Sequence, residues 1–142
     1  MTQIDFYFHV ENKLQTACAL SAKACARGLR VLAFCLDPEA NQKFSRMLWT
    51  TPAIGFIPHC TPDNPLAAVT PVIVDHDGSN LLHDQVLLNL RDEWPPFFSR
   101  FQRLIEIVSL DEEDRRRARS RYKFYRDRGY EIQSHDMSKA AQ

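Results

Sequence analysis

Two short apolar runs, at residues 4–10 (IDFYFHV) and 30–35 (RVLAFC), stand on either side of an alanine-rich stretch with helical spacing, LQTACALSAKACAR at 14–27. Nothing else in the chain restricts the fold as tightly. The first run is aromatic and β-branched enough for a buried strand; the second is the near-continuous apolar run of a parallel strand covered on both faces. Between them Leu14, Ala17, Cys18 and Cys25 recur at helical spacing, and Gly28 supplies a left-handed stop. Strand, helix and strand in this order make a βαβ unit.

The alternation continues. Asp37 before Pro38 is an N-cap with proline at the first helical position, so a second helix is expected over 39–48, ending near Trp49, where Thr51 and Pro52 stop it. Residues 53–69 are looser, with Gly55, Pro58, Pro62 and Pro65, and are expected to hold a brief extended piece at Phe56 and Ile57. Further strands are expected at 71–74, 85–89 and 104–108, with a turn over 75–80 and a short helix around 97–101. The sum is an α/β domain over residues 1–133, its sheet mostly parallel with helices on both faces. The tail at 134–142 (SHDMSKAAQ) has no apolar pattern and is expected to fray.

The segment at 109–130, SLDEEDRRRARSRYKFYRDRGY, reads as a final helix. Ser109 and Glu112 fit a capping box, and Asp111, Glu112, Glu113 and Asp114 sit at the positive end of the helix dipole. Arg115, Arg116, Arg117, Arg119, Arg121, Lys123, Arg126 and Arg128 follow toward the negative end, and Gly129 offers a stop. At helical spacing Arg115, Arg119, Tyr122, Lys123 and Arg126 share one broad side. That side is either a solvated face whose arginines pair with nearby carboxylates or a docking face for an acidic partner. Of Tyr122, Phe124 and Tyr125, at least one must face inward.

A chain of 142 residues can bury a core without staples. Cys18, Cys25, Cys35 and Cys60 form no CxxC pair and follow no signal peptide, so reduced, mostly buried thiols in a cytoplasmic protein are expected. No apolar run reaches the roughly 18 to 20 residues needed to span a bilayer, so no membrane association is expected. Eighteen Lys and Arg balance eighteen Asp and Glu, which gives no general attraction to a phosphate backbone. Positive charge concentrates in the last third, which points to a local acidic ligand.

A doubly wound sheet invites a phosphate loop at its first βα turn. Here that turn reads Glu11, Asn12, Lys13, and neither GxGxxG nor GxxxxGK[ST] occurs in the chain. His9, His59, His76, His83 and His135 are the candidates for acid/base work. Neighbours on an extended chain point oppositely, so His59 and Cys60 are read as loop residues, with the His59 ring bonded to backbone, rather than as a dyad. Asp75, His76 and Asp77 after a strand are read as turn formers. No catalytic residue, cofactor or metal ligand is expected. Met47, Leu48, Trp49, Pro52, Ile54, Phe56, Ile57 and Pro58 form an apolar group read as core, with a partner surface anchored by Trp49 as the alternative.

Phe6 and Tyr7, residues 28–32, LWTTPAIGFIPH (48–59), Pro71 and Val72, and ARSRYKFYRDRGY (118–130) together resemble the chi subunit family of bacterial DNA polymerase III. LWxxPxxxFxPH and RYKxYRxxGY, in this order and at this spacing, carry most of the resemblance, which spans nearly the full chain. It implies a Rossmann-like fold without a nucleotide site and a non-catalytic adaptor of the clamp-loader assembly in DNA replication. One surface of such an adaptor binds the acidic, phenylalanine-ended tail of single-stranded DNA-binding protein, and another binds the psi subunit. By position, the resemblance implies Arg115, Arg119, Tyr122 and Lys123 in the tail site, with Val108 lining its apolar pocket, and Trp49, Pro52 and Phe56 in the psi-facing patch. A carboxylate needs Arg and Lys donors, and a terminal phenyl ring needs an apolar slot. Without psi, the Trp49 patch would face another clamp-loader component or a repair helicase; contact with nucleic acid would be mainly indirect. The alternatives are a nucleotide-binding or hydrolytic α/β enzyme using His59 and the 75–77 turn, and direct single-stranded DNA binding with Tyr122 and Tyr125 as stacking platforms.

Overall fold

The computed structural model describes residues 1–50 and 57–138. Seven strands make one sheet: β1 (Gln3–Val10), β2 (Val31–Phe34), β3 (His59–Cys60), β4 (Val72–Asp75), β5 (Val86–Asn89), β6 (Arg103–Ser109) and β7 (Ile132–Asp136). Their order is β3-β4-β2-β5-β6-β1-β7, and every neighbouring pair is parallel. Three α-helices, α1 (Lys13–Ala26), α2 (Pro38–Thr50) and α3 (Glu112–Asp127), and short 3-10 turns at Ala67–Val69 and Phe98–Arg100 complete the described elements. This is the expected open, Rossmann-like α/β architecture.

β2, β4 and β5 are buried at every position, because helices cover both faces of the sheet centre. On one face Ala17 and Cys18 of α1 and Phe44 and Leu48 of α2 join Val31, Ala33, Val72 and Val74. On the other, Ala118 and Tyr125 of α3 join Ile4, Phe6, Leu104, Phe98 and Phe101. The four cysteines are free, and burial pushes the Cys18 thiol up to about 11.

Helix ends follow local chemistry. Asn12 caps α1 by accepting from the Gln15 N–H at 3.0 Å. Asp37 accepts from the Ala40 N–H at 2.8 Å at the head of α2, which runs through Thr50, slightly past the expected end. The end of α3 is a Schellman arrangement: Gly129, at φ +84°, donates to Arg126, and Tyr130 donates to Tyr125. Its start departs from expectation. Ser109 is not the cap, because it still belongs to β6. Asp111 caps instead, accepting from the Asp114 N–H at 3.0 Å, while the Asp114 carboxylate reaches back to the N–H and hydroxyl of Ser109 at 2.8 and 2.9 Å.

Two other expectations are corrected. The brief extended piece described is His59–Cys60; Ile57 is buried and lies outside it, and Phe56 is outside the described residues. Ser134, His135 and Asp136 are not frayed but complete β7, paired with β1 from Ile4↔Ile132 to Phe8↔Asp136. The strand is polar because it is the sheet's edge, and side-chain pairs replace apolar burial. His9 meets Asp136, and His135 meets Asp5, both at 2.9 Å, and His135 stacks on Tyr7 with ring centroids 4.4 Å apart.

β1 breaks its own alternation just before it ends. Ile4, Phe6 and Phe8 pack on the α3 side, whereas Val10, two residues further on, packs on the α1 side. The register with β6 slips between Tyr7 and Val10, and His9 adopts φ 61°, the one positive value at a non-glycine residue among those described.

Candidate functional site

At the carboxyl ends of β1 and β6, where open α/β sheets commonly bind ligands, a pocket of about 220 Å³ opens against α3. Phe6, Phe8, Val108 and Ala118 give it apolar walls, and Arg115, Arg119, Ser109, His9 and Ser134 add polar groups. Tyr122 closes one side and meets Phe6 edge-on, with ring centroids 5.3 Å apart. An apolar cavity of about 150 Å³ holds benzene, so one phenyl ring fits in this volume.

The charges on α3 divide into paired and unpaired sets. Arg116 bonds Glu113, Arg117 pairs with Asp92 at 3.2 Å and Glu113 at 3.6 Å, and Arg126 reaches Asp127 at 3.4 Å. Among the described residues, Arg115, Arg119 and Lys123 are exposed and enter no ion pair. Paired arginines and cations without an ion pair therefore coexist on one helix, and Arg126, expected on the basic side, is among the paired. Lys123 stands one turn beyond Arg119 and does not line the pocket.

One arginine of the run has a different role. Arg121 is buried, its Nε donating to Glu106 Oε1 at 3.1 Å and its Nη1 to the Asp92 carbonyl at 2.7 Å. Glu106 Oε2 accepts from the Tyr125 hydroxyl at 2.6 Å and from Asn89 Nδ2 at 3.0 Å. Burial, then the Glu106 charge, pushes the Tyr125 hydroxyl pKa well up, so it remains a donor. Sequence reasoning named Arg121 only as one cation of the run and gave it no separate role. The signal was present: a lone Glu106 in the apolar strand RLIEIVS, and Ala118, Arg121 and Tyr125 on one inward stripe.

The remaining candidates have ordinary partners. His59 Nδ1 lies 2.8 Å from the Ile57 carbonyl, the backbone bond expected of it, but the residue opens β3 rather than sitting in a loop. The Asp75 carboxylate accepts from the backbone N–H groups of His76, Asp77 and Gly78, so the 75–77 segment is a turn built on a buried carboxylate. No group of His, Cys, Asp and Glu that could hold a metal ion occurs among the described residues.

Trp49, at the end of α2, is 67% exposed and meets His59 of β3 edge-on at 6.2 Å. Its neighbour Leu48 is fully buried, so the apolar group read as core is split between core and surface. Pro52 and Phe56 lie outside the described residues. β3 and β7 are the two edges of the sheet, so Trp49 and the pocket stand at opposite ends of the molecule.

A family profile described as "DNA polymerase III chi subunit, HolC" matches residues 1–133, which takes in β1 through α3 and the first two residues of β7. The chain belongs to the DNA polymerase III chi family. Curated relatives named "DNA polymerase III subunit chi" come from Pseudomonas aeruginosa, 32% identical over 96% of this chain and 98% of the relative, and Haemophilus influenzae, 29% identical over 93% and 95%. A third, from Escherichia coli, is 27% identical over 83% of this chain and 81% of its own. Membership makes this chain a replication accessory protein. For a chi-family chain the missing glycine loop leaves the carboxyl edge of the sheet free, and the pocket beside α3 occupies it.

Proposed function

We propose that this chi-family chain is a non-catalytic adaptor of the DNA polymerase III clamp loader. Its pocket takes the acidic, phenylalanine-ended C-terminal tail of single-stranded DNA-binding protein. The observation that carries the reading is the pairing of an apolar slot walled by Val108, Phe6 and Tyr122 with unpaired cations at Arg115 and Arg119. The terminal ring enters the slot, the chain-terminal carboxylate meets the guanidinium groups, and Lys123 attracts the preceding acidic residues along the helix. The Trp49 end carries the second partner, the psi subunit or another clamp-loader component, and the separation of the two ends lets both be held together. Arg119→Ala tests the tail site: peptide affinity falls about tenfold or more with an unchanged circular dichroism spectrum. Unchanged affinity would remove the pocket from the reading.

A further inference from the structure

His9 is a conspicuous residue of the pocket wall that the adaptor reading leaves without a role. It sits in the irregularity of β1, at φ 61°, and this conformation both turns Val10 to the opposite face and brings the imidazole to the pocket. Such strain in a non-glycine residue persists only where surrounding structure enforces it, and it gathers at binding sites. The enforcing contact is visible: Nδ1 lies 2.9 Å from Asp136 Oδ1, and the ring meets Phe8 edge-on at 4.8 Å. A carboxylate only accepts, so Nδ1 carries the proton. Hydrogen bonds from Ser138 and His9 hold the Asp136 carboxyl down to about 2, so it stays ionised in the neutral range. Nε2 has no partner among the described residues.

We propose that His9 is a third donor for the ligand carboxylate, beside Arg115 and Arg119, with its ring oriented by Asp136. The inference rests on the pocket being the site of an acidic peptide. Charged groups line the same pockets as the ring: Arg115 and Arg119 of α3 share one with it and Glu11, of the turn that follows β1, the neighbouring one, while Asp136 of β7 bonds Nδ1. Nδ1 is engaged by Asp136, so donation to the ligand uses Nε2 of the doubly protonated ring, which in the complex lies between two carboxylates. A carboxylate paired with a histidine also explains how a site for an acidic peptide tolerates Asp136 at its edge.

The test uses an acidic peptide ending in phenylalanine, with either a free C-terminal carboxylate or an amide, titrated into the full chain at pH 6 and pH 8. His9→Asn keeps a residue that tolerates positive φ and an amide that can still donate to Asp136, while removing Nε2. The wild type is expected to bind the carboxylate form more tightly at pH 6 than at pH 8. The variant is expected to lose about tenfold in affinity for that form, to lose its pH dependence, and to bind the amide form unchanged. Asp136→Asn is a second variant with opposed expectations: removing a negative charge alone would strengthen binding of an acidic peptide, whereas loss of the orienting partner weakens it. A His9→Asn variant that binds both forms with wild-type affinity and pH profile, or a tighter-binding Asp136→Asn, overturns the role given to His9. A wild type that binds neither peptide overturns the reading of the pocket itself.

Discussion

Tyr122 of α3 leans edge-on against Phe6 of β1, ring centroids 5.3 Å apart and planes at 65°, so the pocket wall is anchored to the first strand of the sheet. The contact ties the aromatic of the basic stripe to the core while leaving its other side to a ligand. Tyr122→Phe keeps this packing and should retain peptide affinity within about threefold; Tyr122→Ala removes the wall and should cost about ten- to a hundredfold. Calorimetric titration of both variants checks this. Equal losses would assign the effect to the hydroxyl rather than to the wall.

Arg121 and Glu106 are predicted to act on stability rather than on binding. Arg121→Met leaves a carboxylate buried without its cation and should lower unfolding free energy by about 3 to 5 kcal/mol. Tyr125→Phe removes one hydrogen bond to the same charge and should cost about 1.5 to 3 kcal/mol. Urea unfolding measures both. Replacing Arg121 and Glu106 together by apolar residues should recover much of the larger loss, since no unpaired charge remains.

The βαβ order, the buried strands and the basic stripe were legible because each depends on local periodicity: β2 and β4 are short apolar runs, and Arg115, Arg119 and Tyr122 lie three and four apart. What was not legible depends on partners distant in sequence. β7 looked unstructured because its residues find His9 and Asp5 on β1, more than a hundred positions away, instead of an apolar face. Arg121 was hidden inside an arginine run until Glu106 was seen beneath it. The bulge at His9 carries no glycine to announce it. The cap of α3 was misread because serine is as good a cap as aspartate, and only the end of β6 decides between them.

Asp114 predicts a distinct acid limb. Burial alone would raise its pKa, but hydrogen bonds from the Ser109 backbone and hydroxyl and the Lys13 charge outweigh it, and the pKa falls below the usual carboxylate value. Its folded pKa is thus lower than its unfolded one, so its contribution is complete above about pH 4 and is lost as pH falls through the folded value. Asp114→Asn should cost about 1 kcal/mol near neutrality and flatten the fall in stability below about pH 4. Thermal unfolding across that range reads the slope.

Trp49→Ala is expected to separate the two ends of the sheet. An exposed residue beside β3 is far from the pocket at β1, β6 and β7, so peptide affinity should stay within about twofold and stability within about 1 kcal/mol. Binding of the second partner should be lost, as monitored by co-purification with psi or with the clamp loader. Loss of peptide affinity in this variant would show that the ends are coupled.

The most direct test of the adaptor account is calorimetric titration of the chain with a short acidic peptide ending in phenylalanine, beside the same peptide ending in alanine. The account predicts saturable binding to the first at one site per chain, weakened by salt, and at least tenfold weaker binding to the second, because the pocket between Val108 and Tyr122 is left unfilled. Equal affinity for the two peptides, or binding to neither, would contradict it.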